Sequence, residues 1–266
     1  MAAEAQAGWE QSFETIDGCK LAMLRGGAGP PLVFLHGAHA SRGWTPFMAE
    51  LANNFSVLCP DHPGFGRSET PDWLDTIHDM AFFYLDVLAA LDIDGVHLVG
   101  ASLGGWIAAE MAVRSTARLA RLSLIAPAGI HVKGVAKPDI FLCSRDEMTR
   151  NLFADPGLAE AALAETPSAE EEEADLRDRY MTARLGWQPR MYDPDLAKWL
   201  HRIDRPTQLV WGREDRILPA VYAEHWQRLV PGSTITYVER CGHFPHIEQP
   251  AALVDAVTGF GRETGR

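Results

Sequence analysis

The stretch VHLVGASLGGW, residues 96–106, decides how the chain is read. An apolar run stops at Gly100, a lone serine follows, and after Gly104-Gly105 the pattern turns helical. Serine favours neither strand nor helix, so Ser102 between glycines at a strand-to-helix junction needs a reason. A dinucleotide loop of the G-x-G-x-x-G kind would need glycine where Ser102 stands. A Walker A loop would need lysine after its last glycine, where Gly105 and Trp106 follow. A plain tight turn and a turn that presents a nucleophile remain. With 23 glycines in 266 residues, chance gives G-x-S-x-G only about 0.07 times, and it falls here between an apolar run and a helical one.

Working outward, the same alternation recurs. QSFETI and CKLAML flank Asp17-Gly18, a hairpin signal. Short apolar strands are expected in PPLVFLHG (residues 32–35), FSVLCPD, VHLVG and RLSLIAP, and later in PTQLVWG and STITYV. Helical spacing is expected over residues 44–53, 76–91, 105–114, 221–229 and 252–260. Buried strands alternating with helices predict an α/β fold, a mostly parallel twisted sheet flanked by helices. The alternation pauses at residues 130–200, which are helical and hold Phe141, Phe153, Tyr180, Trp187, Tyr192 and Trp199. This reads as a helical cap inserted into a core made of residues 1–129 and 201–266. SAEEEEAD, residues 168–175, reads as a solvated face or a helix start.

Composition narrows the partners. With 24 basic and 36 acidic residues the formal charge is −12, which disfavours nucleic acid and anionic membrane surfaces. Cys19, Cys59, Cys143 and Cys241 are far apart, without a C-x-x-C pair, and read as free thiols. The start MAAEAQAGWEQ shows no secretory signal, and no apolar run reaches the roughly 18 residues of a membrane helix. A cytoplasmic protein acting on a small molecule is expected; the oligomeric state is not readable.

A serine hydroxyl needs a base, and the base an orienting acid. Ligands of a parallel sheet gather at the carboxyl ends of its strands, where Ser102 sits. His243, in ERCGHFPHIEQP, follows the last strand, and Asp215, in VWGREDRILP, follows the strand before it. His246 reads as a surface or helix-start histidine and Glu214 as a solvated neighbour of the acid. The strand ending at Ala126 carries no acid at its tip.

The order Ser102, Asp215, His243 with G-x-S-x-G on a strand-to-helix turn resembles the α/β-hydrolase fold superfamily from about Phe13 to Phe260. LHGAHAS resembles its His-Gly loop, DHPGFGRS its D-x-x-G-x-G-x-S turn, GREDRILP its acid turn and CGHFPHIEQP its histidine loop. The resemblance implies an oxyanion hole from the backbone amides of Ala38 and Leu103. It implies ordering roles for His36 and for the Asp61 turn, places His39 near the pocket, and requires neither metal nor organic cofactor.

A serine nucleophile counts against the dehalogenases and epoxide hydrolases of this fold, which use aspartate. It fits carboxylesterases, lactonases, aminopeptidases, perhydrolases and C–C bond hydrolases of meta-cleavage products. SLGGW, LIAPAGI and the aromatic insertion resemble the last group. Its usual glycine-rich H-G-G-G-P-G loop is HGAHASRG here, and its usual tryptophan after the histidine is Phe244. The expectation is therefore a carboxylic ester hydrolase acting on an acyl substrate, with C–C hydrolase or lactonase as the alternative and a ligand receptor on the same fold as a further one. Trp106, Phe244 and the cap aromatics are expected to wall an apolar substrate pocket. Arg184 and Arg190 in the insertion could meet a substrate carboxylate, but read better as solvated or salt-bridged.

Overall fold

The computed structural model describes residues 8–39 and 43–262; Ala40 and Ser41 of the His-Gly loop and the first seven residues of the N-terminal stretch lie outside them. The chain opens with a hairpin, β1 (Trp9–Ile16) and β2 (Cys19–Gly26). Asp17 and Gly18 join them, both at positive φ (46° and 76°), the turn whose twist suits a two-residue hairpin. Then come β3 (Pro31–Leu35), α1 (Pro46–Ala52), β4 (Ser56–Pro60), α2 (Ile77–Ala90), β5 (Val96–Ala101), α3 (Leu103–Arg114) and β6 (Leu119–Ile125). After an irregular stretch, the insertion holds α4 (Arg145–Leu152), α5 (Pro156–Ala164), α6 (Ala169–Gly186) and α7 (Leu196–Trp199), the last running into a 3-10 turn. The core resumes with β7 (Thr207–Gly212), α8 (Val221–Leu229), β8 (Thr234–Val238), α9 (Pro245–Glu248) and α10 (Pro250–Arg262).

The eight strands form one sheet in the order β1-β2-β4-β3-β5-β6-β7-β8. From β4 to β8 every pairing is parallel; the hairpin joins antiparallel at one edge. Both faces are covered. One core runs under α2, α3 and α8; the other lies under α1 and α10. The central strands are therefore continuous apolar runs, as a sheet buried on both sides requires. The register sets Leu35 opposite Gly100 and Ala101 opposite Ile125, so the ends of β3, β5 and β6 share one edge.

The insertion is pinned to that edge from α6. SAEEEEAD is its start: Ser168 caps the helix and forms a capping box with Glu171, and three glutamates occupy the first turn, where the helix dipole favours them. Further along, Arg177 donates to the carbonyls of Gly64 and Gly66 at 3.2 and 2.9 Å and to that of Ser68. Asp178 accepts the Gly66 amide at 3.0 Å. The DHPGFGRS turn is thus the platform on which α6 rests. Its Asp61 is buried and accepts the backbone and Nε of Arg67 at 3.0 and 3.1 Å, the ordering role expected of it.

Candidate active site

Ser102 stands between β5 and α3 at φ 52°, ψ −112°, a strained conformation for a residue with a side chain. The neighbours explain why glycine surrounds it. A Cβ on Gly104 would lie 2.1 Å from the Leu35 carbonyl oxygen, and one on Gly100 would lie 2.4 Å from the Gly104 oxygen. The turn is fixed from outside as well: the Ser102 amide donates to Ile125 at 2.9 Å, and its carbonyl accepts the Ala128 amide at 3.0 Å. Helix α3 starts at Leu103, two residues before the position expected from the sequence. The first helical bond, Trp106 to Ser102, leaves the amides of Leu103 to Gly105 without intrahelical acceptors.

His243 Nε2 lies 3.0 Å from Ser102 Oγ, and its Nδ1 lies 2.7 Å from Asp215 Oδ2. Both His243 and Asp215 are buried. The other Asp215 oxygen accepts the amides of Ile217 and Leu218, each at 2.9 Å, which fixes the carboxylate plane. A carboxylate only accepts, so Nδ1 carries the proton and Nε2 is left free to take one from the serine. Glu214 is exposed beside it, as its reading as a solvated neighbour required.

The His-Gly loop is ordered by a chain of two buried imidazoles. The His62 amide donates to His36 Nε2 at 3.0 Å, so the proton of His36 is on Nδ1, which donates to the Gly37 carbonyl at 2.8 Å. His62 Nε2 in turn donates to the His36 carbonyl at 2.9 Å and its Nδ1 faces the Tyr84 hydroxyl at 2.6 Å. Burial pushes both histidines below their usual range; the neighbouring His36 adds to the effect on His62. The accepting Nε2 requires a neutral ring at His36, and burial favours one at His62. They bring Gly37 to within 3.5 Å of the Ser102 Cβ, measured from the position of an added Cβ, and Ala38 follows directly.

Ser102, His243 and Ala38 open into a cavity of about 700 Å³. Its walls are mainly apolar: Phe34, Phe47, Ile217 and Leu218 contribute, with Phe141, Met148, Leu152 and Phe153 from the insertion. Phe244 lines it, and so do His39 and His246. His246 does sit at a helix start, but on the cavity side; burial, then the nearby His243, lowers it to about 4. Trp106 corrects an expectation. It is buried in the main core, its indole N–H donates to Glu110 at 3.2 Å, and it does not line the cavity. Of the insertion aromatics, Tyr180, Trp187 and Trp199 are exposed by 63%, 47% and 50% and stand outside the cavity lining. Arg184 pairs with Asp75 at 2.9 Å, and Arg190 with Asp139 at 2.9 Å, the salt-bridged reading.

The sequence reading missed Glu248. One of its oxygens accepts the amides of Ala154 and Asp155 at 2.7 and 3.0 Å, and the other accepts that of Gly242 at 2.5 Å. With the His243 amide donating to Leu152 at 2.8 Å, the histidine loop is bonded to the segment that joins α4 to α5. A carboxylate five residues after the histidine is visible in the sequence; two of the three amides it serves come from about ninety residues away.

A model of the alpha/beta hydrolase family matches residues 32–256, which span all the elements just described except the hairpin and the end of α10. The chain belongs to the alpha/beta hydrolase family. Among curated relatives, a 2-hydroxymuconate semialdehyde hydrolase of a Pseudomonas species is 31% identical over 88% of this chain and 87% of its own. An uncharacterised protein of Mycobacterium tuberculosis is 27% identical over 93% and 80%. Among solved structures, a serine hydrolase of a Cycloclasticus bacterium that degrades polyaromatic hydrocarbons superposes with a TM-score of 0.80 at 21% identity, covering 96% of this chain and 98% of its own. A membrane phospholipase A superposes with a TM-score of 0.77 at 26% identity, covering 96% and 86%. The hydrolase family is thereby shown, while the relatives' names span different bonds. No helix among the described residues is long and apolar enough to cross a membrane.

Proposed function

We propose that this alpha/beta hydrolase is a serine hydrolase that cleaves a carboxylic ester or a related acyl substrate. The observation that carries the reading is the bonded series Asp215, His243, Ser102 at the floor of an apolar cavity. Ser102 attacks the carbonyl carbon while His243 takes its proton. Asp215 holds the imidazole and stabilises its charged form. The negative charge on the carbonyl oxygen is met by the amides of Leu103 and Ala38, donors worth about 10²–10³ in rate each. His243 then returns the proton to the leaving alcohol, and water activated by the same imidazole releases the acid. This chemistry calls on neither metal nor cofactor. The four free thiols support a reducing, cytoplasmic setting as part of the same reading.

A second reading, hydrolysis of a C–C bond in a meta-cleavage dienoate, is favoured by the 31% identity to the semialdehyde hydrolase. HGAHASRG and Phe244, where that group usually has a glycine-rich loop and tryptophan, favour the ester. Turnover of p-nitrophenyl esters, lactones and a meta-cleavage dienoate by wild type and Ser102→Ala, side by side, tests both. Ester turnover that falls about 10⁴–10⁶-fold in Ser102→Ala supports the proposal. Dienoate turnover with no ester turnover replaces it by the second reading, and ester turnover untouched by the substitution removes Ser102 as nucleophile. Binding without any turnover favours a receptor.

A further inference from the structure

Two cations from the insertion, Lys137 and Arg190, reach the cavity that holds Ser102, and they differ in what they already have. The guanidinium of Arg190 is spent. It donates to Asp139 at 2.9 Å and to the Trp187 carbonyl at 2.7 Å, and it stacks on the Trp187 ring 3.6 Å from its centroid. Asp139 is spent too: its second oxygen accepts the Phe141 amide at 3.1 Å. Lys137 shares this corner and is left over. Among the described residues no carboxylate lies within 4.0 Å of its ammonium, and the centroid of the Tyr222 ring lies 6.0 Å from it.

A half-buried ammonium at the wall of a mainly apolar cavity, with no carboxylate within ion-pair distance, is an expense the fold has no structural need to carry. Burial accordingly pulls Lys137 below the usual lysine range, against the opposing pull of Asp139. The net charge of −12 argues the other way, since it repels anions at long range. That repulsion is screened over about 8 Å at physiological salt, whereas a cation inside the cavity acts at contact distance through little water. Of the carboxylates that line the cavity, Asp139 is paired with Arg190 and Asp175 faces His39 at 4.0 Å, so Lys137 is the cation left to meet an anion there.

Resting on the acyl-hydrolase reading, we infer that Lys137 pairs with a carboxylate on the substrate, so that the preferred substrates are mono-esters of dicarboxylic acids, or acyl compounds with an equivalent distal acid, rather than neutral esters. The free carboxylate docks at Lys137 in the roof while the ester carbonyl lies over Ser102. Apolar walls between the two hold the connecting chain.

The test is a series of mono-p-nitrophenyl esters of dicarboxylic acids from succinate to suberate, each compared with the same compound methylated at its free acid. The inference expects at least one length at which the free acid exceeds its methyl-capped partner about tenfold or more in kcat/KM, mostly through KM. Lys137→Met should bring that ratio to about one and Lys137→Arg should restore most of it. Lys133→Met, at an exposed lysine four residues earlier, should keep it. Turnover of the capped esters without preference for any free acid overturns the inference and leaves the hydrolase reading standing, as does a preference that survives Lys137→Met. A second measurement covers the case in which no ester turns over. Calorimetric binding of the dicarboxylates to Ser102→Ala should be weakened at least tenfold by adding Lys137→Met; equal or absent binding in the Ser102→Ala protein overturns the inference.

Discussion

Glu248 accepts the amide of Gly242 at 2.5 Å, one residue before His243, while its other oxygen holds Ala154 and Asp155 of the insertion. One carboxylate thus ties the loop of the proposed base to the wall of the cavity. A glutamine can accept through only one of its two terminal atoms, so Glu248→Gln must give up one side. Each orphaned amide costs about 1–3 kcal/mol, which sets the expected loss of stability. The geometric prediction is separate. His243 loosens relative to Ser102, and kcat should fall about tenfold or more with KM changed far less. Ester kinetics alongside urea unfolding read both; a stability loss with kcat intact would make Glu248 purely structural.

The two acids after β7 should behave oppositely. Asp215→Asn keeps an acceptor for Ile217 and Leu218 but faces His243 Nδ1 with a group that donates or competes for the wrong tautomer. About 10⁴-fold loss in kcat is expected. Glu214 is exposed, and Glu214→Gln should stay within a few-fold. Steady-state kinetics of the pair decide it, and the reverse order would move the acid to Glu214.

How much of this was legible beforehand follows from what each residue depends on. Ser102, Asp215 and His243 each follow a predicted strand, and a parallel sheet brings those strand ends to one edge whatever the loops do. The hairpin was legible because Asp17-Gly18 is local turn chemistry. Trp106 was not, because its direction depends on the phase of α3. With the helix beginning at Leu103 rather than Gly105, Trp106 turns into the core toward Glu110. Glu248, His62 and Lys137 owe their roles to partners or spaces that only the folded chain assembles. The split between cavity aromatics such as Phe153 and exposed ones such as Trp199 is likewise a matter of packing within the insertion.

The buried histidines predict how stability depends on pH. His97 donates or accepts at Ser123 Oγ at 2.8 Å, and burial, with Arg121 nearby, lowers it to about 3. An unfolded histidine titrates near 6.5. Between those values the unfolded chain binds a proton that the folded chain refuses, so stability is present above about pH 6.5 and lost as pH falls toward 3. The slope reaches about 1.4 kcal/mol per pH unit per histidine. His36, His62 and His246 are lowered in the same direction and add to it. Urea midpoints at pH 7, 6 and 5 should fall steadily. His97→Gln should flatten that fall whatever it does to stability at pH 7, and an unaltered slope would remove His97 from the account.

Two glycines should answer an added methyl group with opposite signs. At Gly104 the new Cβ would lie 2.1 Å from the Leu35 oxygen and 2.3 Å from the His36 oxygen, both backbone atoms of the strand and loop beside Ser102. Nothing there can swing aside as a side chain would, so β3 and α3 must separate. Gly104→Ala should yield insoluble protein, or folded protein with the Ser102 turn displaced and ester turnover lost. Gly259 lies in α10 with open space where its Cβ would stand. Alanine there improves helix propensity by about 0.8–1 kcal/mol and touches nothing. Gly259→Ala should therefore raise the urea midpoint with turnover intact. Measuring both variants by the same unfolding and ester assays checks the packing of the Ser102 turn against an internal control, and a soluble, fully active Gly104→Ala would refute the close approach of α3 to β3.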